Sequence, residues 1–312
     1  MSPAGLLRWL LTAGFLAVVL FQAPPDQWLP TLTRIRWGPL ILAGLMMAGI
    51  VLLNTWKWNL LLEVQGVRPG FLRLVYHYAV GYFFNSFLTG TGDLKRATDL
   101  GREQEALPQV MASVLAERWS GTVGQVALAS VTLLVAFLRS PEALWPLTLA
   151  SAGLCTALVL GYLWFEGARP GGGRSRRGLL DWLHRLRLAV ATYREQRKVW
   201  WGCLALSLVA PLALVGIHAL LAQALDLHPG LLPLLLFVPT VSVFAQLPVT
   251  INGFGLQDWF MVTLLGETMT PAQAMALSML FHALRLATGA SGGILYAMLP
   301  NLGTRPPSAD SP

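Results

Sequence analysis

"GYFFNSFLTGTGDLKRATDLGREQEALPQ", Gly81 to Gln109, is an aromatic, apolar run that breaks at Gly90-Thr91-Gly92 and then turns sharply charged. In water such a break is a surface loop. At membrane depth it is tolerated only where protein buries it or where it lines a wet cavity. Its meaning therefore depends on the solvent of the whole chain.

The 312 residues are 55% hydrophobic and 12% charged, with a mean hydropathy of +0.58. Soluble domains carry about 25% charged residues. Long apolar runs recur: Leu6–Phe21, Pro39–Leu62, Val123–Leu138, Ala143–Phe165, Val199–Ala224, Leu231–Val249 and Ala272–Leu299. Each approaches or exceeds the ~20 residues that cross a bilayer core, and none carries the polar stripe of a soluble helix. An all-α polytopic membrane protein without a soluble domain is expected. Gln22-Ala23-Pro24-Pro25 loosely resembles a signal-peptide end, but a lone Arg8 and no small-x-small site favour an uncleaved first span. Cys155 and Cys203 lie inside apolar runs, where a thiol acts as a small hydrophobe, and two such residues build neither a disulfide framework nor a metal site.

The net charge of +7 would point to nucleic acid in a soluble chain. Here it is localised. Arg169, Arg174, Arg176, Arg177, Arg185, Arg187, Arg194, Arg197 and Lys198 stand in one interval against Asp181 and Glu195. A basic loop between spans marks the cytoplasmic side, so no nucleic-acid partner is expected. The loop, 167–198, splits a single membrane domain of residues 1–300 into a first half, 1–166, and a second half, 199–300. Residues 301–312 form a polar tail.

With Met1 in the cytoplasm, Arg68 and Arg73 also fall inside. The basic loop stays inside if Phe71 to about Pro108 dips into the bilayer and returns. Leu231 to about Glu267 would repeat this from the opposite face. The expected topology has about six full crossings and two re-entrant or broken helical hairpins in an inverted repeat, with both termini cytoplasmic. An eight-crossing alternative strands Arg8, Arg68 and Arg73 outside. The two dips share a pattern, "FLTGTGDLKR" (Phe87–Arg96) and "VTINGFGLQD" (Val249–Asp258). Gly90, Gly92, Gly253 and Gly255 are the expected backbone turns.

Helix resuming at Asp93 would make Asp93–Arg96 and Arg96–Asp99 neighbours on one face. Lys95 and Arg96 near a helix start could then meet a phosphate; the alternative is a self-neutralised interfacial helix. Glu117 and Arg118 sit within or near the inner end of a span and point to different faces, Glu117 towards Arg96. Arg285 lies mid-run with His282 one turn earlier, and needs a buried partner from Asp258 or Glu267. Lys57, between Trp56 and Trp58, reads as an interfacial anchor. Gly289 and Gly293 are spaced for close helix packing, and His77 and His218 read as packed histidines. No His-Glu-x-x-His or Gly-x-Ser-x-Gly pattern occurs, and "GFGLQD" (253–258) fails as a dinucleotide fingerprint. No catalytic residue, cofactor or metal is expected.

Over essentially its whole length the chain resembles a flippase-like transmembrane family that includes the membrane half of lysylphosphatidylglycerol synthases. Gly92-Asp93 with Arg96 matches the family's Gly-Asp-x-x-Arg. "SVLAERWSG" supplies its Glu-Arg element as Glu117-Arg118. "LPVTINGFGLQD" carries Pro248, Gly253 and Gly255, and "ALRLATGASGG" carries the late-helix Arg285. The family usually has Pro ahead of a Gly-Gly-Asp, whereas here Thr89 and Thr91 stand in the surrounding turn, and Asp258 replaces the usual Glu. The resemblance implies a multi-pass protein of a bacterial-type cytoplasmic (inner) membrane. The soluble aminoacyl-transfer domain of lysyl-lipid synthases does not precede Pro312, so that reaction is not expected. A lipid translocase is implied, with Lys95, Arg96 and Arg285 on an anionic phospholipid or polyprenyl-phosphate head group. Asp93, Glu117, Arg118 and Asp258 would be charge partners. The alternative is a membrane enzyme or an accessory subunit in glycolipid or cell-envelope synthesis, working with partner proteins.

Overall fold

The computed structural model describes residues 3–87, 90–139, 192–245 and 253–299, together with 153 and 250. The apolar run 143–165, most of the basic loop and the tail 301–312 lie outside these described residues. Among the described residues every regular element is helical. They are α1 (Pro3–Gln22), α2 (Pro25–Leu32), α3 (Trp37–Val64), α4 (Phe71–Asn85), α5 (Thr91–Glu103) and α6 (Leu107–Arg139). After a 3₁₀ turn at Thr192–Arg194 follow α7 (Arg197–Ala224), α8 (Leu231–Ala245), α9 (Leu256–Leu264) and α10 (Pro271–Met298).

Element lengths repeat along the chain. α3 and α7 each have 28 residues, and α4 and α8 each have 15. The reversals after α3 and α7 are "QGVRPG" (Gln65–Gly70) and "LDLHPG" (Leu225–Gly230). Both place their second residue at positive φ, 75° at Gly66 and 59° at Asp226. In both, the next amide bonds back into the helix, Val67 to Leu62 at 3.0 Å and Leu227 to Ala222 at 2.8 Å. This is the left-handed helix stop that satisfies orphan carbonyls.

Packing follows the same pairing. α3 lies against α7, and α4 and α8 each pack on a long helix of the other half, α10 and α6 respectively. α4 folds back on α5 and α8 on α9, so each glycine break is the bend of a helical hairpin. The α4–α10 crossing is close because α10 presents glycines. A Cβ on Gly292 would lie 2.0 Å from the Ala79 carbonyl oxygen, and Gly289 and Gly293 face Ser86 and Phe83. This is the small-residue packing expected at Gly289 and Gly293.

The distribution of polarity is that of a membrane protein. Trp9, Phe21, Trp37, Leu72 and Leu138 face outwards while Lys57, Arg96, Glu117 and Asp258 are buried. α3 and α7 are long and apolar enough to cross a bilayer, and α1 with α2 would count as a third span but for an 84° bend between them. Among the described residues, length and apolarity alone thus supply two crossings, or three with the bent pair, of the six expected from charge. α10 has the length but carries His282, Arg285 and several glycines in place of apolar bulk.

Candidate functional site

The first hairpin turns at Gly90, whose φ of 90° suits glycine. α5 is capped from the preceding arm: Asn85 Oδ1 accepts from the amides of Gly90 (3.0 Å) and Gly92 (2.9 Å). Thr91 Oγ1 donates to the Phe84 carbonyl at 3.0 Å. With the amides satisfied this way, Asp93 turns inwards to cations. Its Oδ1 accepts from Arg96 Nε at 3.1 Å and Arg118 Nη2 at 2.7 Å.

Arg96 is only 2% exposed. Its Nη2 donates to Glu117 Oε2 at 2.5 Å, and its guanidinium lies between the rings of Trp58 (4.7 Å) and Tyr78 (4.6 Å). Aromatic faces attract cations most strongly where water is excluded. Glu117 also lies 3.7 Å from Lys57 Nζ and accepts from the Tyr78 hydroxyl at 3.4 Å. Lys57 donates to Ser207 Oγ on α7 at 3.2 Å. The expected Arg96–Glu117 pairing is present. Lys57 is not an interfacial anchor: it is buried, and its ammonium is a second partner of Glu117.

Lys95 points elsewhere. It pairs with Asp99 at 2.7 Å and sits over Phe84 and Tyr296. Asp99 therefore takes Lys95 and not Arg96. His77 and Arg73 on α4 both bond Glu103, His77 at 3.2 Å.

The second hairpin restarts at Gly255, φ 79°, after Gly253 at φ 80°. Here the cap is internal. Asp258 Oδ2 accepts from the Gly255 amide at 2.8 Å, while Oδ1 accepts from Ser278 Oγ and from His282 Nε2 at 2.9 Å. His282 Nδ1 in turn meets Arg285 Nη2 at 3.1 Å. Asp258 and Arg285 are joined, but through His282. Glu267, the other candidate, is exposed. A Cβ on Gly255 would lie 2.9 Å from the Thr12 carbonyl oxygen, so α1 seals the bend from outside.

Between the two hairpins lies a cavity of about 280 Å³. Asp93 and Arg118 face it from the first half and Arg285, His218 and Gln257 from the second. Asn54, Tyr82, Asn85, Gln125 and Ser242 add neutral polar groups, and Phe237, Val241 and Phe281 are part of its apolar wall. Neither Lys95 nor Arg96 is among its lining residues. Among the described residues no group of three or more His, Cys, Asp or Glu is placed to hold a metal ion.

Residues 5–292 match the family described as lysylphosphatidylglycerol synthase TM region. The chain belongs to that family. A comparison with curated proteins finds no match. Within this lysylphosphatidylglycerol synthase TM region, the residues carrying the family resemblance fall around the cavity in two tiers. Arg118, Asp93 and Arg285 line it, and Arg96, Glu117 and Asp258 stand behind them. Gly90, Gly92, Gly253 and Gly255 make the bends. Sequence reasoning missed Lys57, whose signal was a charge followed by further apolar residues, Leu60–Leu62, and not by an interface. It also missed His218, Gln257 and the other neutral polar groups, which carry no signal at single positions.

Proposed function

We propose that this lysylphosphatidylglycerol synthase TM region binds the head group of an anionic lipid in the cavity and moves it between leaflets. The chain would sit in a bacterial-type inner membrane with the basic loop 167–198 and both termini cytoplasmic. The two halves would form an inverted repeat with about six crossings, the hairpins entering from opposite faces. The paired element lengths and the exchange of α4 and α8 between halves support that arrangement.

The observation that carries the reading is Arg118 and Arg285, one from each half, facing one cavity otherwise lined by neutral groups, except for Asp93. Arg96 serves as support: fixed between two rings and two carboxylates, it holds Asp93 in position, and Asp93 holds Arg118. Glu117 and Lys57 complete the frame. A phosphate is suited to two guanidinium groups, which offer planar pairs of donors. A cavity of about 280 Å³ is small for a drug-sized ligand; it suits a head group, with the acyl or prenyl tails left in the bilayer. No chemical step is assigned to any side chain.

The test is movement of a labelled phosphodiester lipid across vesicles reconstituted with the protein, alongside mass spectrometry of lipids retained on purification. Arg118→Ala and Arg285→Ala are each expected to weaken retention of anionic lipid by about tenfold or more, the loss of a charge-assisted hydrogen bond. The doubly substituted protein should move lipid no faster than empty vesicles. Parental rates and retention in the double variant would remove the cavity from the function. A product formed from the lipid, or activity only with a co-purified partner, would favour the enzyme or accessory-subunit alternative.

A further inference from the structure

His282 is buried behind two lining residues of the cavity, Phe281 and Arg285, its ring stacked on Phe254 at 4.1 Å. Each ring nitrogen meets a partner of one kind. Nε2 is 2.9 Å from Asp258 Oδ1, and Nδ1 is 3.1 Å from Arg285 Nη2. Asp258, already accepting from the Gly255 amide and the Ser278 hydroxyl, acts as a carboxylate. A carboxylate can only accept and a guanidinium can only donate. The tautomer follows from the partners: Nε2 carries the proton and Nδ1 presents its lone pair to Arg285.

A second proton on this ring would have to go to Nδ1, and two donors would then face each other. The Arg285 Nη2–H···Nδ1 bond breaks, and Arg285 already borders the cavity into which it would turn. We infer that His282 is a proton-binding site coupled to the anion site, so that a proton and an anionic head group occupy the protein together. This rests on the lipid-binding reading above. In the step, a hydronium ion reaching the cavity gives its proton to the Nδ1 lone pair, forming the Nδ1–H bond, and is left as water. Arg285 transfers its donor from Nδ1 to an oxygen of the anion, and the guest's negative charge meets the added positive one. Conversely, an anion that draws Arg285 away exposes the Nδ1 lone pair. Each ligand must favour the other by the same factor. A proton gradient across the membrane would thereby give direction to lipid movement.

The charged and titratable groups facing His282 are Asp258 from α9, Arg285 on its own helix and His218 from α7. Tyr82 of α4 lies beside Arg285. His218 is the competing proton acceptor. Its Nδ1 is 2.8 Å from the Leu214 carbonyl oxygen, and its Nε2 is buried with no hydrogen-bond partner among the described residues. Protonating that Nε2 leaves the His282–Arg285 bond in place, so the two histidines are separable.

The test is calorimetry of the full chain with dihexanoylphosphatidylglycerol in two buffers of different ionisation enthalpy, repeated across the histidine titration range. The parent is expected to take up about one proton per lipid, with affinity rising as pH falls by up to about tenfold per pH unit. His282→Gln keeps a donor for Asp258 and an acceptor for Arg285 but cannot hold the second proton. Its proton uptake should vanish and its pH profile flatten, whereas His218→Gln, which alters the cavity lining and is allowed to lower affinity, should still take up the proton and keep the slope with pH. Lipid binding by the parent without proton uptake overturns the inference and leaves the lipid-binding reading standing. Uptake that survives His282→Gln and disappears in His218→Gln overturns the assignment to His282. If the parent binds no lipid at any pH, both readings fall.

Discussion

At the first break Asn85 caps the new helix from the preceding arm, and at the second Asp258 caps it from within. The two bends are otherwise built alike. Each starts a helix at a glycine of positive φ, and each places an aspartate, Asp93 or Asp258, at the third helical position. The same interval along the chain then leads from Asp93 to Glu117 and from Asp258 to His282. Because Asn85 satisfies the amides, Asp93 can hold Arg96 and Arg118, and with Glu117 and Lys57 these form a framework of five charged residues. Because Asp258 satisfies the Gly255 amide at the start of its own helix, it holds neutral donors, and Arg285 is reached through His282. One bend has become a fixed electrostatic frame and the other a hydrogen-bond relay.

The largest expected effect breaks the first bend sterically. A Cβ at Gly92 would sit 1.7 Å from the Gly81 carbonyl oxygen and 2.9 Å from Asn85 Cγ, whereas none of the described residues comes within 4 Å of one at Gly90. Gly92→Ala should cost about 4 kcal/mol or more, the range of severe backbone and packing defects. Gly90→Ala should cost only the left-handed strain, about 1–2 kcal/mol. Thermal unfolding in detergent, followed by loss of the monodisperse peak, ranks the two. Equal midpoints would mean that α4 and α5 do not cross as closely as described.

A second comparison sharpens the contrast between frame and relay. Glu117→Gln leaves Arg96 and Lys57 buried with a carboxylate removed, a change of about 3–5 kcal/mol for a broken buried pair. At the second break Ser278→Ala removes one neutral donor from an aspartate that keeps two others, a loss of about 1 kcal/mol. The ratio is read from unfolding midpoints under one set of conditions. If Ser278→Ala proved as damaging as Glu117→Gln, the second bend would be no less dependent on its polar contacts than the first.

The helical membrane class, the two glycine bends and the Arg96–Glu117 contact were legible because each leaves a local mark. An apolar run, a Gly-x-Gly pair and an ionisable residue within a span all carry a cost that the chain must offset. Which arginine faces the cavity was not legible. Glu117 and Arg118 are adjacent, so they point to different faces of α6, but α3, α4, α5 and α8 decide which face borders the cavity and which meets Trp58 and Tyr78. Lys57 was misread for the same reason: its partner Glu117 and its acceptor Ser207 come from two other helices. The number of crossings rested on the charge of loops; the expected first span, Leu6–Phe21, lies within α1, and the chain bends by 84° into α2 beyond it.

The smallest effect probes the repeat away from the bends. Gly66 and Asp226 hold the same place in the two reversals, at φ 75° and 59°. Asp226 is an acceptable left-handed residue, but glycine carries less strain there. Its side chain also pairs with Arg36 at 3.4 Å, both groups being largely exposed. Asp226→Gly should recover about 1 kcal/mol of backbone strain and lose a surface pair of about 0–1 kcal/mol. The two nearly cancel at low ionic strength, and the variant gains as salt screens the pair. Unfolding midpoints at low and high salt should therefore coincide with the parent's at the first and exceed them at the second. A variant less stable at both would mean that the Arg36 contact, not the left-handed stop, closes this reversal. The likeness to Gln65–Gly70 would then be one of shape, with different forces behind it.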